Sequence, residues 1–408
     1  SGSRGRVAPS PLLFRAPNAS NPRPARSAPS SRRRLVCAAP SAARHCASAF
    51  ALGSGHGQDA CRSPHHVGGT DAEAKEQILQ ANPSTPWSAA ESEELYGVRA
   101  WGAGYFDLSA DGSVGVSVPF DGRRARVSLL DIIAGMLQRG LQMPVLLRIE
   151  NILDAQVSLL NEAFGRAMQA LSYRGRYRGV FPIKVNQQCQ VIEEIARFGA
   201  RYGHGLEAGS KAELLIALAN LEPGSGYIVC NGYKDREFIT LGLHAQKLGF
   251  MCFFVIETPA ELPIVLEASR ALGVRPLLGV RVKLASRAGG AWNESSGDRS
   301  IFGLTSAQIV ELIDTLRNNE MLDCLQLMHY HLGSQIPNIR DIRSGVLEAV
   351  RYYAELKREG AALGFLDLGG GLAVDYDGSQ TSYDYSKNYS LDEYCTDVVE
   401  TIMSVLDP

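Results

Sequence analysis

A chain of 408 residues, 45% apolar and 21% charged with a formal net charge of −2, can bury a large core and a second domain. Nine arginines and no acidic residue within positions 1–58 leave the remainder at −11, which argues against nucleic acid as the main partner. The longest apolar run, Gly249 to Ile256, is too short to span a bilayer, and the eight cysteines (37, 46, 61, 189, 230, 252, 324, 395) form no Cys-x-x-Cys pair, as expected of a reducing compartment without structural zinc.

Residues 1–70 read as a disordered leader, because Arg, Ser, Ala and Pro cannot bury enough apolar surface to fold. Arg-rich, Ser-rich, acid-poor composition is that of a transit peptide, so a plastid (chloroplast) address is expected, with a cytoplasmic protein as the alternative. Residues 71–150 form an N-terminal segment. Within it Gly97 to Pro119 alternates small, apolar and aromatic residues around Asp111-Gly112, which predicts a β-hairpin. Ser128 to Arg139 reads as a helix capped by Ser128 with Asp131 in its first turn, and Val145 to Ile149 as a strand. A barrel domain is expected over 151–408, opening with a helix from Ala155 to Leu171.

The centre of this domain is Gly179-Val-Phe-Pro-Ile-Lys-Val-Asn-Gln187, a short apolar run that ends in Lys184 and breaks into a polar turn. A helical pattern, Val191 to Phe198, follows. An amine at the carboxyl end of a parallel strand sits where such sheets place their chemistry. Desolvation there lowers its pKa and frees it to form a Schiff base with an aldehyde; the alternative is a lysine reaching to solvent. From here on, polar residues close short apolar runs at Lys184, Glu207, Asn231, Glu257 and Arg281, with gaps of 23, 24, 26 and 24. That is the pitch of a (β/α) barrel or doubly wound sheet. Two more units end at His331 and at Gly369-Gly370-Gly371. The wide gap before His331 holds a polar insertion, Ser286 to Ser300, of which Trp292 to Ser300 is expected to face substrate.

Cys230, Cys252 and Cys324 lie in or beside apolar runs and read as small core residues. His329 and His331 alternate on one strand and share a face, as a metal pair, as one imidazole stacked on a flat cofactor, or as core groups. Leu332-Gly-Ser-Gln335 and the triple glycine offer backbone N–H groups for a phosphate, although the pattern is not Gly-x-Gly-x-x-Gly and disfavours a dinucleotide. Glu207 faces the barrel mouth, to orient a cofactor or a proton relay, or to make an ion pair at the start of a helix. Ser210 and Glu213 beyond it have capping-box spacing.

These phrases in this order (Phe181-Pro-Ile-Lys-Val-Asn-Gln187, Gly205 to Leu214, Val229 to Glu237, His329 to Gln335, Asn338 to Ile342, Asp367 to Leu372 and on to Tyr376) resemble the pyridoxal-phosphate-dependent biosynthetic arginine decarboxylases. Their group also includes the ornithine and diaminopimelate decarboxylases. The resemblance runs from about Tyr96 onward. It implies an α/β fold: a pyridoxal-phosphate-binding, alanine-racemase-like TIM-type (β/α)8 barrel beside the N-terminal strands of a β-domain.

By resemblance, Lys184 would carry pyridoxal 5′-phosphate covalently and His331 would stack on its ring. Ser334, Gly369, Gly370 and Gly371 would hold the phosphate, while Arg281 and Glu207 would lie at the ring. The segment Leu366, Asp367, Leu368, Gly369, Gly370, Gly371, Leu372, Ala373, Val374, Asp375, Tyr376 would bind substrate. The implied reaction turns L-arginine into agmatine and CO2 in polyamine biosynthesis, with Lys184 and His331 catalytic. Magnesium is associated with the family, and the implied assembly is a homo-oligomer of dimers with active sites at the interface.

One departure stands out. The Glu-x-Gly-Arg-type motif expected on the next strand, the C-terminal β-domain and its cysteine and aspartate do not appear before Pro408. Seven of eight barrel strands, a truncated chain and weak activity are therefore expected. Alternatives are a decarboxylase of lysine, ornithine or another diamino acid, a racemase, a catalytically dead regulator, and a phosphate-binding barrel of other chemistry.

Overall fold

The computed structural model describes residues 87–406, apart from 121, 287–299, 377, 379–380 and 382–385. The leader at 1–70 and positions 287–299 of the insertion lie outside the described residues. Helix α1 (Ala89–Leu95) starts with a reciprocal cap, in which Ser88 Oγ accepts from Glu91 N–H at 3.2 Å and Glu91 Oε2 accepts from Ser88 N–H at 2.7 Å. A single-turn helix, α2 (Val98–Trp101), follows Gly97 in its left-handed conformation. The expected hairpin is therefore helical in its first part and starts only at β1 (Phe106–Leu108).

β1, β2 (Val114–Phe120) and β3 (Arg123–Ser128) form an antiparallel sheet in chain order, and the Asp111-Gly112 turn joins the first two. β3 was not expected: its Arg-Arg-Ala-Arg run lacks apolar alternation and is mostly exposed. Helix α3 (Leu129–Gln138) is capped by Ser128, which accepts from Leu130 N–H at 3.2 Å, with Asp131 in the first turn as expected. Val145–Ile149 is not a strand. Its side chains alternate in exposure, but no neighbouring chain pairs with the backbone among the described residues, and Leu146 is 74% exposed. Helix α4 (Glu150–Ala170) starts at Glu150 rather than Ala155.

Seven parallel strands make the main sheet: β4 (Val180–Pro182), β5 (Gly205–Ala208), β6 (Tyr227–Cys230), β7 (Met251–Ile256), β8 (Leu277–Arg281), β9 (Leu325–His331) and β10 (Phe365–Gly369). They stand side by side in chain order. Between them run α5 (Cys189–Gly199), α6 (Lys211–Asn220), α7 (Arg236–Lys247), α8 (Glu261–Leu272), α9 (Ser306–Asn318) and α10 (Ile339–Arg358), and α11 (Leu391–Leu406) follows β10. The strands are near-continuous apolar runs because both faces are covered. In β7, for example, every residue after Met251 is buried.

The sheet is strongly curled. Phe365 on β10 meets Tyr227 on β6 at a ring-centroid distance of 5.2 Å and Phe253 on β7 at 5.0 Å, across the concave side. These rings pack with Val229, Val255 and Leu327 into an inner core, while the helices bury the convex side in a larger one. Aromatic contacts of this kind contribute about 0.5–1.5 kcal/mol each beyond their burial. β4 and β10 are the edges, and among the described residues no further strand joins them, so the architecture is an open, incomplete TIM-type barrel. Cys230, Cys252 and Cys324 are buried in its walls as expected.

Candidate active site at the carboxyl ends of the strands

Strand alternation sends Glu207, Asn231, Glu257, Arg281, His329 and Asp367 toward the concave side near the strand ends, above the aromatic floor. Lys184 lies on a 3₁₀ turn (Ile183–Val185) just past β4 rather than on the strand. Its amine is 3.6 Å from Glu207 Oε1, but the two side chains differ sharply in exposure, at 57% and 7%. The lysine is thus not desolvated as expected; the buried member of the pair is the carboxylate. Burial pushes Glu207 above the usual carboxylate range, and Lys184, the Asn231 amide and His329 pull it back.

Two more charged pairs line the mouth. Glu257 Oε1 accepts from Arg281 Nη1 at 2.8 Å, with Glu257 1% and Arg281 13% exposed. The Arg281 guanidinium lies 5.5 Å from the Phe302 ring. The segment bearing Phe302 is strapped to the strand ends by Gly303 N–H donating to Glu257 O (3.0 Å) and Leu304 N–H to Arg281 O (2.8 Å). His329 Nδ1 faces Asp367 Oδ2 at 2.9 Å, which turns this imidazole to a carboxylate rather than to its neighbour His331. Burial pushes His331 down to about 4, helped by Arg281, His329 and Lys184, so its ring is neutral at physiological pH.

The glycine loops lock together. Gly371 N–H donates to Gly333 O at 2.8 Å, Ile336 N–H to Gly371 O at 2.9 Å and Leu332 N–H to Gly369 O at 3.1 Å. Among the described residues no acceptor pairs with the N–H of Ser334 or Gly370, so both donors are open to an anion. Gly369 has a different duty. A Cβ there would lie 2.5 Å from His329 Cε1 and 2.5 Å from Tyr330 O, so this glycine makes room for the His329 ring.

The expected substrate segment splits by orientation. Leu366, Leu368 and Leu372 pack against the outer core, away from the mouth. Asp367 faces His329, and Ala373 is buried with its N–H on the Tyr389 hydroxyl at 3.2 Å. Val374 and Tyr376 are exposed and tied to Gln335, whose Oε1 accepts from Val374 N–H and whose Nε2 donates to Tyr376 Oη, both at 3.0 Å. Asp375 accepts Gly378 N–H on its main-chain oxygen at 3.2 Å.

Sequence reasoning named Asn231 and Glu257 only as rhythm markers, although their place in the 24-residue pitch already pointed to the mouth. Asp367 as the partner of His329, and Phe302 over Arg281, carried no sequence signal, since each joins residues well apart in the chain: the first across neighbouring strands, the second from the segment after β8 back onto its end. Capping of α6 is also altered: Ser210 accepts from Glu213 N–H at 3.3 Å, but Glu213 reaches Gly209 N–H at 2.6 Å instead of Ser210. Among the described residues no cluster of three His, Cys, Asp or Glu side chains could hold a metal. No helix of the described residues is long and apolar enough to cross a membrane.

Residues 157–406 match the pyridoxal-dependent decarboxylases through their pyridoxal binding domain. The chain belongs to that family. It is 46% identical over 316 residues to the biosynthetic arginine decarboxylase of Nostoc sp., which covers 78% of this chain and 46% of that protein. With the protein of the same description from Alkalilimnicola ehrlichii it shares 49% over 321 residues, covering 79% and 51%. The crystal structure of the Campylobacter jejuni biosynthetic arginine decarboxylase superposes with a TM-score of 0.68 at 34% identity, over 76% of this chain and 50% of that one. A diaminopimelate decarboxylase from M. jannaschii, 20% identical with a TM-score of 0.53, covers 74% of this chain and 63% of that one and shares the fold alone. The chain spans about half the length of the curated relatives it matches. As a family member it carries a pyridoxal binding domain, and the mouth of its barrel offers what a group of that kind needs: an exposed amine, buried carboxylates and open backbone donors.

Proposed function

We propose that this chain carries the cofactor-binding barrel of an arginine decarboxylase, which converts L-arginine to agmatine and CO2 in polyamine synthesis. The observation that carries the reading is the Lys184 amine, exposed and 3.6 Å from the buried Glu207. Similarity at 44–49% identity to biosynthetic arginine decarboxylases supports arginine over other basic amino acids. Buried Glu257 Oε2 and Asn231 Oδ1, which have no hydrogen-bond partner among the described residues, support a bound polar group at the mouth.

Lys184 would hold pyridoxal 5′-phosphate through its amine, beside the buried Glu207 carboxylate. Neutral His331 would face the bound group, where a charged imidazole would repel a cationic heterocycle. Ser334 and Gly370 would donate to the phosphate, with Gly371 closing the cradle and Gly369 seating His329. Arg281, fixed by Glu257, would offer its guanidinium to an oxygen of the bound group. When bound, the cofactor supplies an electron sink for the pair left behind by departing CO2. Asp367, Asp375 and Tyr376 offer acceptors to a cationic substrate, while Leu366, Leu368, Leu372, Ala373 and Val374 shape the loop that carries them.

The exposed apolar side chains around the mouth, Val185, Tyr233, Ile301, Val374 and Tyr376, support a second copy covering it in a dimer. Arg-rich composition supports a plastid address for 1–70. The test is product analysis with arginine, ornithine, lysine and diaminopimelate offered in turn. Agmatine and CO2 from arginine alone fit the proposal; turnover of another substrate in preference to arginine rejects it.

A further inference from the structure

A further ion pair lies behind the wall of the mouth. Lys234 and Glu261 are both 0% exposed, and their charged atoms are 3.3 Å apart. Glu261 is the first residue of α8, yet its carboxylate serves the loops rather than the helix. Oε1 accepts from Lys234 N–H at 3.2 Å, and Oε2 accepts from the N–H of Glu257 at 2.8 Å and of Thr258 at 3.4 Å. Lys234 Nζ in turn donates to Gly232 O at 2.5 Å. Gly232 sits at φ +71 so close to the preceding loop that a Cβ would lie 2.5 Å from Gly209 O. One carboxylate thus laces together the loops that follow β6 and β7, and through Gly232 leans on the loop after β5.

Buried ion pairs contribute little to stability, because desolvation offsets their attraction. In some proteins such a pair serves specificity instead, and geometry is what this pair can supply. The residue whose backbone Glu261 holds is Glu257, and the Glu257 side chain holds Arg281 at the mouth. We infer that Lys234 and Glu261 are positioning residues, which fix Glu257 and through it the Arg281 guanidinium. Only an acceptor on both oxygens meets the N–H groups of Lys234 and Glu257 at once. Glutamine would present its NH2 to one of them.

The inference rests on reading Arg281 as a mouth residue, and its test has one readout that needs no cofactor. In the apo chain, the rate at which phenylglyoxal modifies Arg281 is followed by peptide mass spectrometry for wild type, Glu261→Gln, Glu257→Gln and the double variant. Glu261→Gln and Glu257→Gln should each raise that rate about fivefold, and the double variant should be no faster than Glu257→Gln. Affinity for pyridoxal phosphate should follow the same non-additive pattern. Glu261→Asp keeps the charge opposite Lys234 but cannot reach both loops, and it should also raise labelling; it is the variant to read if Glu261→Gln does not melt cooperatively. Labelling unchanged in Glu261→Asp, or effects of Glu261→Gln and Glu257→Gln that multiply, would overturn the inference. A wild-type chain that takes up no pyridoxal phosphate while labelling stays non-additive would count against the cofactor site and leave the clamp standing.

Discussion

His331 titrates far from its ordinary value, and this has a consequence for the folded chain that can be measured without cofactor. Burial, with Arg281, His329 and Lys184 nearby, lowers it from 6.5 to about 4 in the folded state. In the unfolded chain it takes up a proton near 6.5. Between these values the unfolded state binds more protons, so stability falls as pH falls through that window and is lost no further below about 4. At 1.4 kcal/mol per pH unit the loss is about 3 kcal/mol, a large share of a typical folding free energy of about 5–15 kcal/mol. Glu207 has the opposite sign. Its folded pKa is raised, so its contribution is present at low pH and lost as pH rises, and it is common to both proteins compared.

The assay is urea unfolding of apo wild type and His331→Asn from about pH 7.5 down to about pH 4.5. Asparagine removes the titration while keeping a polar side chain. Wild type should lose its advantage over the variant progressively on acidification, by about 2.5 kcal/mol between about pH 7.5 and about pH 4.5. A stability difference that stays constant with pH would mean that His331 titrates normally, and the electrostatics of the mouth would be misread.

Three further outcomes are expected. Gly369→Ala should lower stability by about 1–3 kcal/mol in thermal or urea unfolding, because its Cβ meets His329 and a backbone oxygen at 2.5 Å. Gly371→Ala, whose closest contact would be 3.1 Å, should cost less, and the reverse order would refute this packing. Of the five described cysteines, only exposed Cys189 should be alkylated in the native chain; burial covers Cys230, Cys252, Cys324 and Cys395, and it holds the Cys252 thiol up at about 12. Mass spectrometry after brief alkylation reads this directly, and rapid modification of Cys252 would contradict it. Residues 1–70 fused to a fluorescent protein should carry it into plastids of plant or algal cells; diffuse cytoplasmic signal would remove the proposed address.

The barrel was legible because its strands are buried on both faces and end in polar residues at nearly constant spacing, a rhythm that helix packing against a parallel sheet imposes. The amine, the imidazoles and the glycines could be named for the same reason: each sits where a strand runs out. What stayed hidden depends on partners distant in sequence. Val145–Ile149 has a strand's alternation but no neighbour to pair with, whereas β3 has a neighbour and little alternation, so each was misjudged from pattern alone. The exposure of Lys184 follows from a 3₁₀ turn just past Pro182, which periodicity cannot foresee. The Lys234–Glu261 pair joins residues 27 apart across two loops, and only the folded chain reveals that neither charge sees solvent.

The central claim is that Lys184 is the residue to which the cofactor is joined. The most direct measurement incubates the full chain with pyridoxal phosphate, reduces it with borohydride and maps the modified lysine by peptide mass spectrometry. A phosphopyridoxyl group on the Lys184 peptide, absent from Lys184→Ala, is the predicted result. The same group on another lysine such as Lys211 or Lys283, or on none, would contradict the account.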